Sequence, residues 1–196
     1  MKHLILPFFT FAVGTLFAAS TAIAGNYALD ATHSEVGFSV KYMMFSSTHG
    51  KFDAFTIDAN LDEGDLSKST VSVVIDATSI NTENAKRDGH LKSPDFFDAE
   101  KYPELKFVSS SFAKDGKAWK LNGNLTMRGV TKPVTLRAEI SDTIKNPWGQ
   151  LVRGVKVRGT LKRSEFGLKW NKALETGGVL VSDEVVLEID LTLKKK

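Results

Sequence analysis

The residues most able to do chemistry stand close together in one segment, which contains Arg87, Asp88 and His90. A guanidinium, a carboxylate and an imidazole can bind a polar group on a ligand or transfer protons. The same side chains can also form a polar network that ties a short helix to the rest of the protein, and this structural interpretation is favoured. A general acid–base role for His33, Asp88 or His90 remains an alternative.

The sequence gives less support to a metal site or a catalytic nucleophile than to the polar group of Arg87, Asp88 and His90. Beyond the first residues the chain has three histidines, His33, His49 and His90, and no cysteine. No pair has the H-x-x-x-H spacing of a zinc site. Ser34, His33 and Asp30 contain the residue types of a catalytic triad, but they are immediate neighbours, and no G-x-S-x-G motif is present. The sequence predicts no metal, no cofactor and no catalytic residue.

The segment around His90 has the pattern of a short helix. Thr82 can cap its N-terminus, Glu83 suits the first turn, and Pro94 predicts its end. Phe96 and Phe97 follow directly. A helix with adjacent aromatic residues, inserted into a chain of strands, predicts a plug that closes one end of a barrel cavity.

The remainder of the chain alternates apolar and polar residues with period two, which is typical of half-buried strands. The clearest runs are 36–42, 71–75, 119–127, 134–140, 155–161 and 185–193. About eight antiparallel strands form a sandwich or a closed barrel, and the length of several strands favours the barrel. The predicted fold is therefore all-β, an eight-stranded antiparallel barrel with a short helical insertion. A barrel of this size can enclose one small ligand.

The N-terminus has the pattern of a secretory signal peptide. Lys2 precedes an apolar run from Leu4 to Ala19, and Ala22-Ile23-Ala24 is a small-residue cleavage site. Residues 1–24 are thus predicted to be removed, and residues 25–196 to form one domain in the periplasm or outside the cell. Without cysteines, that domain must depend on its core for stability.

Composition argues against two other classes. The net charge is only +3 and basic residues alternate with acidic ones, so nucleic-acid binding is not expected. An outer-membrane barrel would also be exported by a signal peptide, and its strands would also alternate apolar and polar residues. The charged end Lys194-Lys195-Lys196, the dense charges on the polar faces and the helical insertion all argue against it. No membrane span is predicted.

Aromatic residues suggest what the barrel holds. Nine phenylalanines follow the signal, more than a barrel of this size needs to fill itself. They either complete the core or form the wall of an apolar cavity, and Trp170 is placed near its mouth. The turn with Arg128 and Lys132 is interpreted as solvated, with contact to a phosphate as the alternative.

Several motifs together resemble the YceI-like lipid- and polyisoprenoid-binding family. They begin with Tyr27-Ala28-Leu29-Asp30-Ala31-Thr32-His33-Ser34 and include Arg87-Asp88-Gly89-His90-Leu91 and Asp95-Phe96-Phe97-Asp98. They continue with Leu125-Thr126-Met127-Arg128-Gly129 and Arg163-Ser164-Glu165-Phe166-Gly167. The resemblance spans nearly all of the chain beyond the signal, and the order and spacing of the pieces make it specific.

The resemblance implies a lipocalin-like barrel whose cavity holds an isoprenoid or fatty chain, and it implies no enzymatic reaction. The protein is expected to sequester or carry an isoprenoid, a quinone or another long-chain amphiphile, with a homodimer possible. An enzyme acting on the bound lipid or quinone is the alternative. The predicted ligand-binding residues are Phe38, Tyr42, Phe52, Phe55, Arg87, His90, Phe96, Phe97 and Trp170.

Overall fold

A computed structural model describes residues 26–175 and 177–196. The predicted signal peptide and its cleavage site lie outside the described residues. The strands in the first half are β1 (Tyr27–Leu29), β2 (Glu35–Tyr42), β3 (Ser46–Phe52), β4 (Phe55–Asn60), β5 (Thr70–Asp76) and β6 (Ile80–Asn81). Helix α1 (Ala85–Lys92) precedes β7 (Glu104–Asp115), β8 (Ala118–Met127), β9 (Val130–Ile140), β10 (Ile144–Lys145), β11 (Leu151–Lys162) and β12 (Val181–Lys195).

Twelve strand segments occupy eight positions around a closed antiparallel barrel. β12 pairs with β11 on one side, and on the other side with β2 through residues 185–190 and with β1 through residues 193–195. β1 and β2 therefore share one position, and β3 and β4, which pair with β2 and β1, share the next. Consecutive pairing through β5, β7, β8, β9 and β11 closes the ring. The predicted eight-stranded barrel with a helical insertion is confirmed.

The alternation in the sequence becomes an inner and an outer face. On β8, Leu121, Leu125 and Met127 are buried in the interior, while Lys120 and Asn124 are exposed. On β7 the register shifts between Ser109 and Ser111. This irregularity lets Phe107 and Phe112, five positions apart, both reach the interior.

The helix begins later than the sequence predicted. Asn84, not Thr82, is the N-cap, and its side-chain oxygen accepts a hydrogen bond from the Arg87 N–H at 3.0 Å. Thr82 is buried, and its backbone N–H and its hydroxyl both donate to Asp88 Oδ1, at 2.9 and 2.5 Å. Glu83 has φ of 60°, outside the helical region. The helix ends before Ser93 and Pro94, as predicted.

Candidate ligand-binding site

The barrel interior contains a cavity of about 220 Å³. Its wall is built from inward-facing side chains of the barrel strands and from the segment that follows β6. Almost every lining residue is aliphatic or aromatic, the exceptions being Gly37 and Arg163. A cavity with such a wall excludes water and favours an apolar chain.

Part of the wall is only half-buried, including side chains on two strands. Val71, Val73 and Ile75 on β5, and Leu187, Ile189 and Leu191 on β12, line the cavity and are only half-buried. Leu121 and Leu136, which also line it, are buried. The half-buried side chains leave apolar surface that a ligand can cover.

One end of the cavity is closed by residues 85–98, which we call the cap. Leu91 of α1, together with Phe96 and Phe97, lies on the cavity wall. Phe97 packs edge-on against Phe52 with ring centroids 5.8 Å apart, and Phe38 lies 5.8 Å from Phe52 in turn. Four of the predicted ligand-binding residues, Phe38, Phe52, Phe96 and Phe97, are thus on the wall. Their contact with a ligand stays a prediction.

A second layer of rings supports the cap from behind. His90 packs edge-on against both Phe96 and Trp170, with centroid distances of 5.0 and 4.9 Å. Its Nε2 lies 2.9 Å from Asp95 Oδ2. Neither His90 nor Trp170 lies on the cavity wall, and we assign both to the support of Phe96. Their predicted contact with a ligand stays untested.

Arg128 fixes the cap to the barrel. Its Nη1 donates to the carbonyl oxygens of Phe96 and Gly167, each at 2.9 Å, and its Nη2 donates to the Pro94 carbonyl at 2.8 Å. The interpretation of this turn as merely solvated is therefore wrong for Arg128. The sequence offered only an Arg-Gly turn, which gives no sign of the carbonyls that tertiary structure brings to it.

Arg163 binds the neighbouring segment in a similar way. It is buried, and it donates to the carbonyls of Leu168 and Trp170 through Nη1, at 2.7 and 2.9 Å, and to that of Ser182 through Nε at 2.9 Å. Burial lowers the pKa of Arg163, and the carboxylate of Asp183 opposes this shift. Sequence reasoning missed this residue, although Arg163 opens one of the motifs that carried the resemblance.

Three predicted ligand-binding residues lie elsewhere than expected. Tyr42 stands at the end of β2, where its side chain is 40% exposed and is not on the cavity wall. Phe55 follows the break between β3 and β4 and lines a separate surface depression with Leu29 and Lys51. Neither ring is on the cavity wall, and their contact with a ligand stays a prediction. Arg87 is exposed, and its Nε and Nη2 donate to the hydroxyl and carbonyl of Thr82, each at 2.7 Å.

The candidate acid–base groups do not converge on the cavity. His33 Nδ1 lies 2.9 Å from Asp30 Oδ2 in a turn, as the local sequence suggested. Asp88 binds Thr82, and His90 binds Asp95. None of His33, Asp88 and His90 lies on the cavity wall. Among the described residues, none of these three candidate groups is placed to contact a chain inside the barrel.

Asp30 secures the far end of the barrel. The Thr32 hydroxyl donates to Oδ1 at 2.7 Å, and Lys194 Nζ lies 3.1 Å from Oδ2. The hydrogen bond from Thr32 is the largest cause that lowers the pKa of this carboxyl, followed by those from His33 and Lys194. These contacts join the turn between β1 and β2 to β12.

Residues 26–175 and 177–196 contain no group of three or more His, Cys, Asp or Glu side chains arranged to hold a metal ion. No helix among them is long and apolar enough to cross a membrane.

An antiparallel barrel with an apolar interior and a capped end defines a class of small β-barrel proteins that enclose ligands. The YceI-like domain model matches residues 27–193, so the chain belongs to the YceI-like family. This confirms the resemblance drawn from the motifs.

Sequence relatives agree. The chain is 39% identical over 156 residues to a UPF0312 protein of Photorhabdus laumondii, covering 79% of this chain and 81% of that protein. It is 38% identical over 164 residues to a UPF0312 protein of Staphylococcus aureus, covering 83% and 94%.

Solved structures show the same fold. BcnA of Burkholderia cenocepacia superposes with a TM-score of 0.74 at 25% identity, covering 84% of this chain and 98% of that one. The YceI protein of Campylobacter jejuni gives a TM-score of 0.69 at 33% identity, covering 87% and 98%. A polyisoprenoid-binding domain from Saccharophagus degradans shares the fold at 18% identity, with a TM-score of 0.62 over 87% and 99%.

Proposed function

We propose that this protein binds the apolar chain of an isoprenoid, a quinone or another long-chain amphiphile inside the barrel, and carries or sequesters it in the periplasm or outside the cell. The observation that carries the proposal is the apolar cavity of about 220 Å³ beneath the cap. The name of the Saccharophagus degradans domain is consistent with the same class of ligand. The predicted signal peptide supports the location.

The size of the cavity indicates how much of a chain it takes. A cavity of about 150 Å³ lined by similar side chains holds benzene, which has six carbon atoms. By proportion, a cavity of about 220 Å³ holds on the order of ten carbon atoms. Burying ten methylenes gains about 8 kcal/mol before the costs of association are subtracted. A longer chain has to displace half-buried lining side chains or extend beyond the cavity.

Neighbouring valines on β12 allow a matched test. Val185 lines the cavity between Val40 and Leu161, whereas Val186 is on the outer face and 41% exposed. Val185→Trp puts a large ring into the cavity, and Val186→Trp adds the same ring outside. Each variant would be purified natively beside the wild type, and its lipid content measured by mass spectrometry of an organic extract.

Binding of a fluorescent polyene fatty acid would be titrated in parallel, with the melting temperature as a check on folding. We expect Val185→Trp to lose bound lipid and probe, and Val186→Trp to keep both. Equal binding by the two variants, or no binding by the wild type, would refute the proposal.

A further inference from the structure

The most exposed apolar run in the described residues is the turn between β2 and β3, which we call the apolar tip, Tyr42 to Phe45. Met43 is 48%, Met44 65% and Phe45 90% exposed. No charged residue lies between Tyr42 and Thr48. Consecutive exposed apolar side chains are unfavourable in water unless they serve an interaction.

The backbone holds this tip in a defined shape. Met43 and Met44 have φ of 51° and 62°, in the left-handed region that side chains other than those of glycine and asparagine rarely adopt. The Met43 N–H donates to the Leu180 carbonyl at 2.7 Å, and the Phe45 N–H donates to the Tyr42 carbonyl at 3.2 Å. Strained residues that are fixed in this way are concentrated at functional sites.

A second turn extends the same surface. Ala173 bridges to Val179, and Val179 is 37% exposed. Gly178 lies close to Met44. A Cβ atom at this glycine would stand only 3.5 Å from Met44 Cγ. The apolar tip therefore lies against the second turn at Gly178, one residue before the exposed Val179.

This surface continues the wall of the cavity. Val40, two residues before Tyr42, lines the cavity, and so does Val181, which pairs with Tyr42. A chain that leaves the cavity along these two strands meets the apolar tip next. An apolar surface beside the cavity suits the place from which an insoluble ligand is taken up.

The flanking charges indicate the chemistry of the partner. Lys41 precedes the tip and Lys172 precedes the second turn, and both side chains are exposed. Neither lysine forms an ion pair within residues 26–175 and 177–196. Glu175 is the one acidic residue in segments 41–48 and 171–181. Apolar side chains with lysines beside them match a bilayer with anionic headgroups.

We propose that the apolar tip, together with the neighbouring residues Ala173, Gly178 and Val179, docks on the surface of an anionic lipid bilayer, where the amphiphile enters or leaves the barrel. This inference rests on the proposed lipid-binding function. The tip inserts Met44 and Phe45 among the headgroups, and Lys41 and Lys172 contact the lipid phosphates.

The test is sedimentation with vesicles, made either of phosphatidylcholine alone or of equal parts of phosphatidylcholine and phosphatidylglycerol. The double variant M44S/F45S removes the tip. Trp148→Ser is the matched control, because Trp148 is 80% exposed on the turn between β10 and β11, at the opposite end of the barrel. Lys41→Glu with Lys172→Glu tests the charges.

We expect the wild type and Trp148→Ser to bind the mixed vesicles. The affinity of M44S/F45S for these vesicles should be lower by about tenfold or more. The lysine variant should lose the preference for mixed over neutral vesicles. Absence of wild-type binding, or equal losses in Trp148→Ser and M44S/F45S, would overturn the inference. A wild-type dimer in light scattering that becomes monomeric in M44S/F45S, without vesicle binding, would assign the tip to a second copy instead.

The fluorescent fatty acid is titrated in the same samples without vesicles. M44S/F45S should bind it as the wild type does, because the tip lies outside the cavity. Binding of the probe without binding of vesicles rejects only the docking inference. Binding of vesicles without binding of the probe rejects the proposed function, and with it the docking inference that rests on it.

Discussion

Replacing Arg128 by methionine should release the cap while leaving the barrel intact. Arg128 donates three hydrogen bonds to carbonyls, two of them to Pro94 and Phe96 in the cap and one to Gly167. Methionine keeps most of the length of the stem and has no hydrogen bond to donate. Because neither residue is a glycine, the left-handed backbone at this position, with φ of 50°, is equally strained in both.

The expected loss follows from the bonds. A hydrogen bond from a charged donor contributes about 1.5–3 kcal/mol when it is buried, and less at the surface. The bonds to Phe96 and Gly167 are partly buried, whereas the bond to Pro94 is exposed. Only the bonds to Phe96 and Pro94 hold the cap. Taking the lower value for the partly buried bond to Phe96, and about 0.5 kcal/mol for the exposed bond to Pro94, gives a loss of about 2 kcal/mol.

Native-state hydrogen exchange measures this loss where it occurs. The amides of Phe96, Phe97 and Ala99 donate to carbonyls of Ser93, Leu91 and Lys92 and report on the cap, and amides in β8 and β9 report on the barrel. We expect Arg128→Met to reduce protection of the cap amides by about 2 kcal/mol, with smaller changes in the barrel.

Arg137→Met is the control, since Arg137 is exposed and makes a single 3.3 Å contact with Glu139, worth about 0–1 kcal/mol. If protection of the cap changes no more in Arg128→Met than in Arg137→Met, the hydrogen bonds of Arg128 do not hold the cap.

Three further changes have defined outcomes. Gly123→Ala should lower the free energy of unfolding measured in urea by about 1–3 kcal/mol, because the new Cβ would stand 2.4 Å from the Phe107 ring. Gly154→Ala is the control and should have little effect, because the nearest atom to its new Cβ is 3.8 Å away. Asp30 has a lowered pKa in the folded protein, so its contribution is complete above the ordinary value of 3.8 and is lost as the pH falls below it. Acid unfolding of Asp30→Asn should accordingly show a weaker pH dependence there, and an unchanged dependence would contradict the assignment. Affinity for saturated fatty acids should rise with chain length up to about ten carbons and then level off, and a flat series in calorimetry would argue against binding in the cavity.

The strands with strict alternation could be predicted from sequence because each has one buried and one solvated face. β8, β9, β11 and β12 are the clearest cases. β3 could not, since Ser46-Ser47-Thr48-His49-Gly50 has no apolar face and is ordered by pairing with β2. The register shift in β7 was also hidden, because period two alone would place Phe107 and Phe112 on opposite faces.

For the candidate site, the local sequence pattern was enough to place Phe96 and Phe97 at the cavity, but it was not enough to place Tyr42. Phe96 and Phe97 lie on the cavity wall because a helix ending at a proline directs the chain back across the barrel end. Tyr42 has the same phase as Val36, Phe38 and Val40, yet it is the last residue of its strand, is 40% exposed and is not on the cavity wall. Phase determines which face a side chain takes, but the length of the barrel determines whether that face is inside.

The two arginines near the cap determine what the cavity can recognise. Arg163 lies on the cavity wall, but its guanidinium donates to backbone carbonyls, and so does that of Arg128 outside the wall. Both cations are thus used to hold segments of the chain together. No other charged side chain in the described residues lines the cavity, so a headgroup placed inside would lose its hydration without a partner. If the proposed function holds, the headgroup therefore remains outside, and selection within the barrel depends on the length and shape of the apolar chain.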